Sequence, residues 1–65
     1  MEGRVVGFDD HRGLGVVEGD DGSRYPFHCT AIVDGTRTIP SGARVEFDVV
    51  AGPIGRYEAA SVRPR

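Results

Sequence analysis

Apolar and polar positions alternate along this chain with a period of two, in short bursts rather than long runs. Val45, Phe47 and Val49 alternate with Arg44, Glu46 and Asp48, and Tyr25 and Phe27 alternate with Arg24, Pro26 and His28. That period sends successive side chains to opposite faces of a β-strand. No window of roughly eleven or more residues carries a helical period. The pattern predicts five strands, at about Arg4–Phe8, Gly13–Glu18, Ser23–His28, Ala43–Val50 and about Tyr57–Arg63, the last containing Ala59 and Val62. Between the second and third strands lies Gly19-Asp20-Asp21-Gly22, whose Asp-Gly pair is a hairpin signal. Thr30–Ser41 reads as a long polar loop with room for one short 3₁₀ turn, and Arg63-Pro64-Arg65 reads as a fraying tail.

Five short antiparallel strands in so small a chain cannot cover two faces of a flat sheet. Closing into a barrel removes exposed edges and lets one small core serve every strand. Glycines inside strands suit such sharply coiled sheets, and Gly13, Gly15 and Gly7 fit that role. Pro26 lacks an amide donor, so its nitrogen must face away from the ladder or sit at a bulge. The expected fold is all-β: one domain over residues 1–65, a small five-stranded antiparallel barrel without internal repeat or linker.

Composition narrows the setting. A chain of 65 residues buries only about 60% of its unfolded surface, so its core is marginal. Cys29 is the sole cysteine, which excludes an internal disulfide and fits a reducing compartment. With no basic, apolar leader in MEGRVVGFDD and no spanning apolar run, the expected location is the cytoplasm, away from membranes. All 8 basic residues are arginine and the net charge is −2. Met1–His28 carries three arginines against six carboxylates, net −3, whereas Cys29–Arg65 is +1. The first half thus shows no basic stripe of the kind nucleic-acid binders present.

Candidate chemistry is sparse. His11, His28 and Cys29 form no zinc-ligand spacing, and no metal or other cofactor is expected. Gly13-Leu14-Gly15 lies within a predicted strand, not before the helix N-terminus that a phosphate-binding loop needs. His28 and Cys29, as strand neighbours, should point to opposite faces and not form a base–nucleophile pair. The acidic turn Glu18–Asp21 is too short for a calcium loop. An enzyme is not expected.

The order GRVVGFDD, RGLGVV, a DG turn, PFHCTAI, GARVEFDVV and EAASV resembles the bacterial cold-shock domain family. Its members read GxVKWFN, KGFGFI, DG turn, DVFVHFSAI, GQxVEFDVV and GPQAANV. The likeness runs from Gly3 to Val62, with a one-residue deletion in the long loop and a one-residue insertion near Gly55. It implies a barrel of the OB type and single-stranded RNA or DNA as ligand, stacked on aromatics of the first three strands. Phe8 and His28 match that platform, and Arg12 keeps the charge of the family lysine. Gly7 stands at the tryptophan position and Val6 at the lysine before it. Leu14, Val16, Pro26 and Cys29 replace four phenylalanines. Alternation keeps Tyr25 and Phe27 on the core side, so they do not substitute for the lost rings.

Stacking contributes about 1–3 kcal/mol per base, so five missing rings remove on the order of 5 kcal/mol, more than three decades of affinity. Packing of bases on Leu, Val and Pro returns part of it. The resemblance therefore implies weak, salt-sensitive binding of single-stranded nucleic acid on the outer face of the first three strands. Phe8 and His28 would meet bases, Leu14 and Val16 would pack against them, and Arg12 would meet the backbone. Arg12 and Arg24 also have Asp9, Asp10, Asp20 and Asp21 within reach as ion-pair partners. The alternative is a protein-interaction or self-association module, a homodimer included, built on the apolar patch Val6, Leu14, Val16 and Pro26.

Overall fold

The computed structural model describes residues 1–53 and 55–65. The strands are β1 (Glu2–Asp9), β2 (Leu14–Gly19), β3 (Arg24–His28), β4 (Arg44–Ala51) and β5 (Tyr57–Pro64), with one 3₁₀ turn at Cys29–Ala31. They form a single antiparallel sheet in the order β3-β2-β1-β4-β5. The two ends of that order come together: β3 and β5 lie against each other, and Ile32, just after the 3₁₀ turn, bridges Val62 in parallel. The sheet is thereby wrapped into the expected small barrel of the OB type.

Alternation explains the core. Val5, Val17, Tyr25, Phe27, Val45 and Phe47 point inward, and Val5, Val17, Val45 and Phe47 retain no exposure at all. Ala59 and Val62 complete the wall from β5; three residues apart, they share the inner face because the β4–β5 register shifts between them, with Ser61 at φ +51°. Ile32 and Ile39 plug the barrel from the long segment between β3 and β4. Each fully buried aliphatic or aromatic side chain contributes about 1.5–3 kcal/mol relative to exposure. The β2–β3 turn is tied to this core through one side chain. The Tyr25 hydroxyl donates to Asp21 Oδ2 at 2.7 Å, while Asp21 Oδ1 accepts the Ser23 amide at 3.0 Å. The turn itself closes with the Gly22 amide donating to the Gly19 carbonyl at 2.9 Å, Gly22 adopting φ +84°.

Four expectations need correction. Gly13 is not part of a strand: at φ +66° it ends the β1–β2 turn, its amide donating to the Asp9 carbonyl at 2.8 Å. Gly7 meets no crowding, since a Cβ added there would have no atom within 4 Å, whereas one on Gly15 would press on Phe27 and Phe8 and one on Gly13 would come within 2.9 Å of Cys29 Sγ. Val49 was expected inward but is 36% exposed. Among the described residues β1 pairs with β4 only at Arg44, Val45 and Glu46, so Val49 has β5 as its one ladder neighbour and stays partly open although its partner Ala59 is buried. The tail does not fray. Pro64 pairs with Val45, the Arg65 amide donates to the Arg44 carbonyl at 2.9 Å, and the Arg65 side chain meets Glu2 at 3.0 Å. Pro26 sits on β3, which has a ladder partner on one side only, where a missing amide is tolerated. The insertion expected near Gly55 falls beside residue 54, outside the described residues.

Candidate nucleic-acid interface

Pairing across β1, β2 and β3 builds the outer face in rows. Asp9, Leu14 and His28 share one row, Gly7, Val16 and Pro26 the next, and Arg4, Glu18 and Arg24 the third. Val6 is the extra residue of a β-bulge between Val5 and Gly7, so it and Gly7 together oppose Val16. Val6 is 38% and Leu14 43% exposed, Val16 is half-buried and Pro26 exposed, which makes the middle of the face an apolar strip.

Phe8 sits differently from the rest. It pairs with Gly15, and Gly15 pairs with Phe27, so the three lie in a row on the inward side of the sheet. The Phe8 and Phe27 rings stack with centroids 5.7 Å apart and planes inclined by 16°. A Cβ on Gly15 would come within 2.6 Å of Phe27 Cζ and 2.7 Å of Phe8 Cδ1, so only glycine leaves room for that stack. Phe27 is buried, as alternation predicts, whereas Phe8 is half-buried and keeps part of its ring at the surface.

His28 is exposed and caps the 3₁₀ turn. Its Nδ1 accepts the Thr30 amide at 3.3 Å and lies 3.0 Å from Thr30 Oγ1. With Nδ1 accepting, the proton of the neutral ring lies on Nε2, where it can donate to a ligand. Cys29 was expected to point away from His28, yet its Sγ lies 3.8 Å from His28 Nδ1. The strand ends at His28, and Cys29 already has the curvature of the 3₁₀ turn. Strand alternation therefore no longer separates the two side chains.

These rows line a shallow groove of about 940 Å³ that contains Phe8, Arg12, Leu14, Val16, Pro26 and His28. All five sequence-predicted contact residues, Phe8, Arg12, Leu14, Val16 and His28, thus share one concavity. The groove also takes in Arg24, Arg56 and Glu58, and Arg56 and Glu58 come from the far end of the sequence. Its charged lining is three arginines against Asp9 and Glu58. Arg24 pairs with Glu18 at 3.6 Å rather than with a turn aspartate. Arg12 and Arg56 have no ion-pair partner among the described residues. The acids expected to neutralise Arg12 are otherwise engaged. Asp9 Oδ1 accepts the His11 and Arg12 amides at 3.0 and 3.2 Å, and Asp10 accepts the Thr38 hydroxyl. Asp20 faces Arg44 at 3.5 Å, and Asp21 is held by Tyr25 and Ser23.

A small, partly open β-barrel with an arginine-edged groove across its first three strands is an OB-type scaffold of the sort that takes extended chains. The chain belongs to the cold-shock domain family: the model of the 'Cold-shock' DNA-binding domain matches residues 1–65. It is 39% identical over 64 residues to the cold shock-like protein CspC of Bacillus cereus, covering 97% of this chain and 98% of that one. Similarity to the cold shock-like protein CspA of Stigmatella aurantiaca is 43% identity over 63 residues, 94% and 91% of the two chains. The cold shock-like protein of Thermotoga maritima is 36% identical over 60 residues, 91% of each chain. The family is one of nucleic-acid binders. No helix among the described residues is long and apolar enough to cross a membrane.

Proposed function

We propose that this domain binds single-stranded nucleic acid weakly and in a salt-sensitive manner, along the groove over β1, β2 and β3. One observation carries the reading: the residues of the stripped platform share a groove with two arginines, Arg12 and Arg56, that form no ion pair among the described residues. Leu14, Val16 and Pro26 give bases an apolar surface, the exposed part of Phe8 gives a partial ring, and His28 Nε2 gives a donor. Arg12 and Arg56 meet phosphates. Binding through two phosphate contacts on a single strand gives a slope of log Kobs against log salt near −1.4, about −0.7 per contact.

The test is an NMR amide titration with mixed-sequence single-stranded DNA and RNA, at low and then physiological salt. Shifts concentrate at Phe8, Arg12–Val16, His28 and Arg56 and fade as salt rises. An unchanged spectrum at millimolar oligonucleotide refutes the reading. The exposure of Val6 and Leu14 favours a second one, self-association through the strip Val6, Leu14, Val16 and Pro26. It predicts salt-tolerant, concentration-dependent dimers in sedimentation that Leu14→Glu abolishes; a monomer at every concentration excludes it.

A further inference from the structure

Among the described residues Tyr57 is the most exposed of the large apolar side chains, at 67%. It opens β5 opposite Ala51, next to Arg56. Across from it runs the free edge of β3. Between them lies a second cleft of about 370 Å³, lined among the described residues by Ser23, Arg24, Tyr25, Pro26, Gly55, Arg56 and Tyr57. That lining holds two arginines and no carboxylate, on a chain whose net charge is −2. Arg24 meets Glu18 through Nε at 3.6 Å, and its side chain remains exposed. Arg24, Pro26 and Arg56 line this cleft and the main groove alike, so the two are continuous.

We propose that the nucleic-acid path does not stop at β3 but passes over Pro26 into this second cleft, where one base stacks on Tyr57 and its flanking phosphates meet Arg24 and Arg56. The occupant is a single strand because the cleft combines an exposed ring with cationic, acid-free walls, the pairing that sequence-tolerant single-strand sites use. A tyrosine here recovers, at the opposite side of β3, one of the rings missing from the platform. The inference rests on the function proposed above.

The experiment is fluorescence anisotropy on the full chain with labelled single-stranded DNA of about four and about eight nucleotides, lengths at the lower end of the roughly 4–16 that one such barrel covers. The shorter strand is accommodated by the main groove, and the longer one reaches the second cleft. Tyr57→Ala weakens the longer strand by about fivefold or more, the lower end of base–aromatic stacking, and leaves the shorter within about twofold. Tyr57→Phe, which keeps the ring, binds both lengths as the unaltered chain does. If Tyr57→Ala leaves the longer strand unaffected, or weakens both lengths equally, the extension is overturned while the main groove stands. If the unaltered chain binds neither length, the proposed function fails and this inference with it.

Discussion

Gly7→Trp is the most informative single perturbation, because it returns a stacking ring to the platform at a position able to hold one. A Cβ at Gly7 would meet no atom within 4 Å, and the residue lies opposite Val16 in the row that continues to Pro26. An indole there covers the apolar strip without displacing core atoms. Tryptophan is moreover favoured over glycine on a pleated surface, so the melting temperature stays the same or rises. One restored platform contributes about 1–3 kcal/mol per base, which is roughly a five- to 150-fold gain in affinity. Anisotropy with the labelled strands measures the gain. The chain has no other tryptophan, so quenching of indole emission reports this position alone. Gly7→Leu adds apolar area without a ring and separates stacking from simple packing. A folded Gly7→Trp protein with less than about a twofold gain and unchanged indole emission would show that this face does not take bases, and the groove reading would fall.

Three further predictions concern the scaffold. Gly15→Ala drives a methyl to within 2.6 Å of Phe27 and 2.7 Å of Phe8, splitting their stack. Overpacking of this kind costs about 1–3 kcal/mol, at roughly 4–8 °C of melting temperature per kcal/mol, whereas Gly7→Ala is neutral; equal melting points for the two variants would refute the crowding. Phe47→Ala removes a ring with 0% exposure that packs at 5.6 Å on Tyr25. The loss of about 3–5 kcal/mol matches the whole stability of a core this size, so circular dichroism shows an unfolded chain at room temperature, and a cooperative transition there would count against it. The third is a pH dependence. Hydrogen bonds from the Tyr25 hydroxyl and then the Ser23 amide hold the Asp21 carboxyl below its ordinary 3.8, so that increment of stability is present above 3.8 and lost as pH falls through the lowered value. The same bond to Asp21 raises the Tyr25 hydroxyl above its ordinary 10.0, so its increment is present below 10.0 and lost as pH climbs through the raised value. Denaturation midpoints followed across both limits test this, and Tyr25→Phe flattens both limbs if the pair is responsible.

Local pattern carried most of the fold. The alternation around Tyr25 and Phe27 is read correctly from neighbours alone, because β3 stays in register with β2 along its whole length. The same reasoning fails at Val49 because the controlling feature is elsewhere in the chain. Pairing of β1 with β4 reaches only Glu46, so Val49 lies beyond the cover of β1, and a period of two has no means of recording where a neighbouring strand stops. The tail is a similar case. Arg63-Pro64-Arg65 looks terminal and polar, but the Arg44 carbonyl and Glu2 hold Arg65, contacts made across the barrel. Cys29 lies just past the end of β3 at His28, where the curvature of the 3₁₀ turn and not strand alternation sets its side chain.

The site was legible where it is built from consecutive strands and illegible where the chain returns to it. Leu14, Val16, Pro26 and His28 follow from hairpin pairing, a local property. Arg56 and Tyr57 do not, since only the β4–β5 hairpin's return beside β3 brings them to the groove rim. Dividing the charge by sequence halves assigned −3 to the segment that carries the platform, and so argued against a phosphate contribution. Folding regroups those charges. Asp10, Asp20 and Asp21 bond to a threonine, an arginine of the opposite wall and a tyrosine and lie outside the groove lining, while Asp9 stays in it. What faces the ligand path is then Arg12, Arg24 and Arg56 against Asp9 and Glu58. Net charge is a property of the whole surface, but a strand of nucleic acid within about a Debye length feels chiefly the groove it lies in. On the function proposed above, the loss of aromatic platforms is offset in part by this local excess of cations, and affinity that rests more on phosphate than on stacking is affinity that salt removes first.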